Sequence, residues 1–344
     1  MCGICGIIKS NNLIDVNQLL SMTRVLRHRG PDDEGFILGD EERNIFKAFH
    51  HDETIDIIKN KTTKLENNFN ANIGFGFRRL SILDLSENGH QPMQLEESGL
   101  WIVFNGEIYN YIEIRDELSA IGYRFKSNSD TEVILKAYHK WGEDCVHKFN
   151  GMWAFAIWDS RNKKLFCSRD RFGIKPFYYH HSQQEQFLFA SEIKSILQVI
   201  NSTPDKQTLY DSFSYGYSDH NERTFFEHIK QLRGGHNLIL QNGKLFINRY
   251  YKINSQPFHD SFEIAKDKLR ELLFDAVKIR LRSDVPLGYA LSGGIDSSSI
   301  VGIASKINHG SNNTFSMIYP GENVDESFFI NKVIYQTLKF CCIY

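Results

Sequence analysis

The segment PLGYALSGGIDSSSIVG, residues 286–302, restricts the fold of this chain more than any other. An apolar run through Tyr289 and Leu291 enters Ser292, Gly293 and Gly294, and a helical pattern opens at Ile295 and Asp296. A strand that turns directly into a helix is the repeating unit of a parallel, doubly wound sheet. The flanking residues agree. SFEIAKDKLRELLFDAVKIRLRS predicts a long amphipathic helix before the strand VPLGYAL, and the helix IDSSSIVGIASKI, the strand TFSMIYP and the helix DESFFINKVIYQTLKF follow. Two strands cannot bury both faces of such a sheet, so the region reads as an incomplete α/β layer that ends on the apolar FCCIY.

The upstream residues follow a different plan. Val16, Leu19, Leu20, Val25 and Leu26 recur at helical spacing behind Asp15, which predicts a capped helix over about residues 15–27. NIGFGFRRLSIL and LWIVFNGEI read as strands; YIEIRDELSAIG and TEVILKAYHKWG read as helices closed by Gly122 and Gly142. MWAFAIWD, KKLFCSRD and QFLFAS return to strand. Strands, helices and strands again predict an α+β domain of stacked layers over residues 2–200. Residues 201–255 read as a connecting segment with a hairpin around Asn242 and Gly243, and residues 256–344 as the incomplete second domain.

Composition removes several classes of function. With 40 basic and 42 acidic residues the formal net charge is -2, so no long-range field draws nucleic acid or anionic lipid. No run of 18 apolar residues and no signal-peptide pattern occurs, which places the expected location in the cytoplasm. The six cysteines are too few and too irregularly spaced for a disulfide framework.

Chemistry concentrates at the two ends. In the loop Ser292–Asp296, glycines let the backbone approach a phosphate and the first helical amides face it; Ser292, Ser297 and Ser298 add hydroxyls, and Asp296 can hold Mg²⁺. The plainer reading is a tight strand-to-helix turn. At the other end, MCGICGII places Cys2 and Cys5 three residues apart, which fits a zinc site, a redox dithiol, or one important cysteine. Zinc needs four ligands; no second C-x-x-C or H-x3-5-H pair accompanies these two, and His50-His51 and His180-His181 read as loop residues. A residue as small as Cys2 normally permits removal of the initiator Met. The exposed α-amine, with an ordinary pKa near 8, could then accept the thiol proton, so that nucleophile and base share one residue.

MCGICGI resembles the start of the class II glutamine amidotransferases, and RHRGPDDEG, RRLSILDLSENGHQPM, VFNGEIYNYIEIRDEL, SNSDTEVILKAYHKWG, FNGMWAFAIWD and SRDRFGIKPFYY match the same family in order. SGGIDSS resembles the loop of the ATP pyrophosphatases, and the whole set resembles the glutamine-dependent asparagine synthetases. The resemblance implies an N-terminal-nucleophile αββα sandwich followed by part of an ATP-pyrophosphatase domain. It implies that Cys2 attacks the glutamine amide, that Asn105 and Gly106 form the oxyanion hole, and that Arg79 and Asp130 hold the glutamine α-carboxylate and α-ammonium. Leu80, Ser81, Ile82, Leu83 and Glu107 would line that pocket. ATP would meet Leu291, Ser292, Gly293, Gly294, Asp296, Ser297 and Met317, with Mg²⁺ near Asp296 and no organic cofactor.

On the plainer reading, Asn105-Gly106 is an ordinary turn, Arg79 and Asp130 are a surface ion pair, and Leu291 and Met317 are strand core. The family's complete reaction also uses aspartate, which ATP activates and which receives ammonia through an internal tunnel. Its partners are small molecules, with neither nucleic acid nor membrane, and a homodimer is one allowed assembly. The family's S-G-(D/E)-G-(G/A)-D-E segment does not occur in this chain, so the expectation is a complete glutaminase half and an incomplete synthetase half, from a fragment, a frameshift or a split gene. Alternatives are a related amidotransferase acting on another carboxylate, such as a polysaccharide sugar, and a non-catalytic C-x-x-C module.

Overall fold

The computed structural model describes residues 1–10, 13–67, 69–182, 186–309, 312–337 and 342–343. They divide into two compact units, Met1–Ile253 and Asn254–Tyr344.

Two sheets form the first unit among the described residues. The eight-stranded sheet runs in the order Lys230–Gln231, Tyr178–Ser182, Gln186–Ala190, Gly3–Lys9, Ile73–Arg79, Asp33–Asp40, Ile45–His50, Thr63–Lys64, all pairs antiparallel except the last. The six-stranded sheet runs Lys244–Arg249, His236–Gln241, Lys164–Arg169, Gly151–Asp159, Leu100–Ile108, Met93–Leu95. Strand alternation sorts the side chains into layers. Ile4, Ile8, Phe75 and Phe77 of the first sheet meet Trp101, Val103, Ala154 and Trp158 of the second in the core between the sheets. On the outer face of the first sheet, Cys5, Ile7 and Leu38 pack with Leu19 and Met22 of the helix Val16–Arg24. On the outer face of the second, Ile102 and Phe104 pack with Ile114 and Leu118 of the helix Tyr111–Ala120 and with Val133, Ile134 and Ala137 of the helix Asp130–Trp141. The unit is an αββα sandwich.

Local signals set these elements. Asp15 caps the first helix by accepting the Asn17 N–H, and Gly142 ends the Asp130–Trp141 helix at φ +58°. The hairpin around Asn242 and Gly243 forms with both residues at positive φ, the twist that two-residue hairpins require. It does more than connect domains, because His236–Gln241 pairs with Lys164–Arg169 and extends the six-stranded sheet. Of the histidine pairs, only His51 is a loop residue. His180 and His181 lie in the strand Tyr178–Ser182, and His50 ends the strand Ile45–His50.

The second unit alternates helix Phe262–Arg280, strand Gly288–Ala290, helix Ile295–Ile307, strand Asn313–Ser316 and helix Ser327–Thr337. A third parallel strand, Cys342–Ile343, pairs with Asn313–Ser316, so the two-strand expectation is corrected to three. Its signal was two residues long, too short to separate from a tail. Phe340, Cys341 and Tyr344 of FCCIY lie outside the described residues. The core is thin: Leu291, Val301 and Ile330 are buried, while Phe262, Leu272, Ile295 and Met317 are exposed. Among the described residues no helix is long and apolar enough to cross a membrane.

Candidate active site

Cys2 stands at the head of a central strand of the first sheet, on the same side as Ile4 and Ile8 and therefore facing the second sheet. Cys5 sits three residues on and points to the other face. There its thiol meets the Thr23 hydroxyl at 3.2 Å and the Gly76 carbonyl at 3.7 Å, and burial lifts its pKa to about 11. One zinc ion or one disulfide cannot join side chains on opposite faces of a strand. No group of three or more metal-ligating side chains occurs among the described residues.

The pocket in front of Cys2 is lined by Arg79, Leu80, Ile82, Leu83, Gly106, Glu107 and Asp130 and is narrow, with a cavity volume of about 30 Å³. Cys2 Sγ accepts the Leu80 N–H at 3.4 Å and lies 3.6 Å from the Leu80 carbonyl. Burial raises the thiol pKa, opposed by the Leu80 hydrogen bond and the nearby N-terminal amine. Ser81 turns its backbone N–H to Asp32 at 2.8 Å. Gly30 packs so close to the Arg78–Arg79 backbone that a Cβ there would collide with it, which accounts for the glycine in RHRG.

Period-two alternation separates the neighbours Arg78 and Arg79. Arg78 pairs with Glu34 and Glu53, whereas Arg79 enters the pocket wall and donates to the carbonyls of Ser86, Leu83 and Asp84. Its seat depends on Gly89, where a Cβ would collide with the guanidinium. Arg79 and Asp130 are 5% and 4% exposed, so neither belongs to a surface ion pair.

From the second sheet, Asn105 and Glu107 share the face of Trp101 and Val103 and point toward the first. Asn105 is 1% exposed, and its amide nitrogen Nδ2 is buried with no hydrogen-bond partner. An orphaned buried donor costs about 1–3 kcal/mol, so it marks a place where a ligand acceptor would fit. Asn105 and Gly106 sit within the Leu100–Ile108 strand, paired to Ala154 and Trp153, and form no turn.

Asp130 opens its helix behind the cap Ser129 and accepts the Ile108 N–H at 2.9 Å. Burial lifts it to about 6 despite that bond. Burial and the neighbouring Asp130 lift Glu107 to about 9.

Two cations at the site were not singled out from the sequence, although RHRGPDDEG and SRDRFGIKPFYY contain them. Arg29 donates from Nε to the Cys2 carbonyl at 2.9 Å and from Nη1 to Glu192 at 2.9 Å; Glu192 is held at about 2, where hydrogen bonds from Arg29, Lys194 and His28 outweigh the opposing effect of burial. Lys175 is 4% exposed and interacts electrostatically with Glu107 and Cys2. Neither stands out by residue type, since Arg29 ends the short 3-10 helix Arg27–Arg29 and Lys175 lies in a loop, places where arginine and lysine are ordinarily solvated.

In the second unit Gly293 takes φ +85° between the strand and the helix Ile295–Ile307. Ser292 and Ser297 hydroxyls lie 3.0 Å apart, and the Ser298 hydroxyl is buried without a partner. Leu291 is buried; its N–H donates to Phe315 and its carbonyl accepts from Ser316. Met317 is 70% exposed.

An αββα sandwich with a cysteine at the head of a central strand, facing the second sheet, defines the N-terminal-nucleophile amidotransferase class. The glutamine amidotransferase domain model matches residues 59–251, and the chain belongs to that family. The asparagine synthase model matches residues 268–337. The chain is 38% identical to a provisionally named glutamine-hydrolysing asparagine synthetase 2 of Methanocaldococcus jannaschii, over 97% of this chain and 62% of that protein. It is 37% identical to glutamine-hydrolysing asparagine synthetase 1 of Bacillus subtilis, over 95% of this chain and 47% of that protein. The chain thus spans only about half of the length of these relatives. A glutamine phosphoribosylpyrophosphate amidotransferase from B. subtilis shares the fold at a TM-score of 0.55 and 14% identity, covering 99% of this chain and 81% of that one.

Proposed function

We propose that the Met1–Ile253 unit hydrolyses glutamine to glutamate and ammonia at Cys2, as the first half of a glutamine-dependent asparagine synthetase reaction. The observation that carries this reading is the unpartnered Asn105 Nδ2, buried on the face that the second sheet turns toward Cys2. Removal of Met1 frees the Cys2 amine to take the thiol proton. The sulfur then attacks the side-chain amide carbon, and the oxygen becomes an anion held by Asn105 Nδ2 and the Gly106 N–H. Collapse breaks the C–N bond and releases ammonia, which carries the proton away from the amine and leaves a glutamyl thioester. Water hydrolyses the thioester to glutamate and restores the thiol.

Arg79 binds the α-carboxylate and Asp130 the α-ammonium; each charge-assisted bond contributes roughly 1.5–3 kcal/mol. Leu80 to Leu83 and Glu107 complete the pocket, whose walls must part to admit glutamine.

The 254–344 unit contributes the opening of an ATP site. The Ser292–Ser297 loop, with its left-handed Gly293 and the unpartnered Ser298 hydroxyl, fits a phosphate, and Asp296 would hold Mg²⁺ there. Aspartate is the proposed acceptor of ammonia, and the cytoplasm is the proposed location.

The test is glutamate release by the purified chain between pH 5 and 8. Asp130 must be ionised to hold an ammonium, so KM for glutamine is expected to rise as pH falls through about 6, where Asp130 takes up a proton. An unchanged KM down to pH 5 would remove Asp130 from the site.

A further inference from the structure

Gln91, from the segment ENGHQPM, has no role in the proposed chemistry, yet it is buried in the pocket wall and its carboxamide joins two of the elements that form the site. Its Oε1 accepts the Phe104 N–H at 2.7 Å, and its Nε2 donates to the Thr131 hydroxyl at 3.2 Å. A backbone N–H can only donate, so the oxygen end of the carboxamide has to face Phe104.

Strand register accounts for the use of a side chain here. Met93 pairs with Ile102, which puts Gln91 opposite Phe104 two residues further along. The paired strand begins only at Met93, and the Gln91 side-chain oxygen takes the ladder position that a backbone carbonyl would otherwise fill.

Phe104 immediately precedes Asn105, and Thr131 immediately follows Asp130. A second link, from the Ile108 N–H to the Asp130 carboxylate at 2.9 Å, lies at the far end of the same strand. Asn105, Gly106 and Glu107 are therefore held between two hydrogen-bonded links to the first turn of the helix Asp130–Trp141. The two residues before Gln91 tie the link to the first sheet. His90 Nδ1 lies 2.7 Å from the Asp33 carboxylate, and Gly89 leaves room for the Arg79 guanidinium.

Resting on the reading of Asn105 and Asp130 as glutamine-binding groups, we propose that Gln91 is a positioning residue whose carboxamide fixes the spacing between the Asn105 donor and the Asp130 carboxylate. Its two bonds have separable effects. The Thr131 bond holds the helix turn that presents Asp130 and so acts on binding of the α-ammonium. The Phe104 bond holds the strand that aims Asn105 at the oxyanion and so acts on the transition state.

The experiment compares the full chain with Thr131→Val, which removes only the helix bond, Thr131→Ser, which keeps the hydroxyl, and Gln91→Met, which removes both bonds at similar volume. In Thr131→Val the KM for glutamine is expected to rise about 3- to 10-fold with kcat within about twofold, and Thr131→Ser is expected to restore it. Gln91→Met is expected to raise KM by a similar factor and also to lower kcat by about 10-fold or more. Hydrogen exchange read at single amides by mass spectrometry needs no turnover, and the Phe104 amide is expected to exchange at least about fivefold faster in Gln91→Met. If Gln91→Met does not fold, the Thr131 pair carries the comparison. Lowered thermal stability with kcat and KM unchanged would reduce Gln91 to a packing role and overturn the proposal, as would a Phe104 amide equally protected in Gln91→Met. Absence of glutamate release from the unaltered chain would count against the glutaminase reading instead, and the Phe104 exchange rate then decides whether Gln91 fixes the strand.

Discussion

Cys2→Ala is expected to reduce glutamate release by on the order of 10,000-fold or more, to the level of the uncatalysed background, while Cys5→Ala keeps turnover close to that of the unaltered chain. The contrast follows from the strand. Cys2 faces the pocket with Arg79, Gly106 and Asp130, whereas Cys5 faces the helix Val16–Arg24 through Thr23. Removing the Cys2 sulfur deletes the atom that forms the thioester and leaves binding groups with nothing to activate. Removing the Cys5 sulfur takes one small buried atom from the outer core. The paired assay measures glutamate by a coupled dehydrogenase, with circular dichroism to verify that both variants fold. Loss of activity in Cys5→Ala with retention in Cys2→Ala would invert the assignment.

Asn105→Ala is expected to lower kcat by about 100–1,000-fold with little change in KM. The asymmetry arises because the oxyanion exists only in the transition state, and a donor aimed at it contributes there and not to ground-state binding. Two features make the cut clean. Asn105 Nδ2 has no partner in the protein, so its loss breaks no existing hydrogen bond, and the Asn105 backbone stays in the ladder opposite Ala154. Stability is therefore expected to hold or rise slightly, since an unsatisfied buried donor disappears. A parallel rise in KM, or unchanged kcat, measured by initial rates over a range of glutamine concentrations, would place the residue outside the oxyanion hole.

Local features of the fold were legible in the residues. Asp15, Gly142 and Asn242-Gly243 announce a cap, a stop and a hairpin, and each acts locally, Asp15 through its side-chain carboxylate and the others through their own backbone. The sheet that the hairpin joins was not legible, because pairing of His236–Gln241 with Lys164–Arg169 links segments about seventy residues apart and leaves no local trace. The third parallel strand was missed because Cys342–Ile343 is two residues long.

At the site, residues that match the family's motifs were named in advance, and most of them line one pocket; Ser81 and Asn105 stand at its edge rather than in its lining. The alternative of a surface ion pair for Arg79 and Asp130 fails on burial, a property that chain position does not encode. Arg29 and Lys175 were overlooked for the same reason. Their burial comes from segments that Asp170, Arg169 and Glu192 fix in three dimensions, and an arginine or lysine in a polar segment looks solvated until its neighbours are known.

The central claim is that Cys2, freed of Met1, forms a glutamyl thioester. The direct measurement is peptide mass spectrometry of the chain mixed with glutamine and quenched in acid. The account predicts an N-terminal peptide that begins at Cys2 and carries a glutamyl group on sulfur, with Cys5 unmodified. A peptide that retains Met1, with both thiols free after sustained glutamate release, would contradict it.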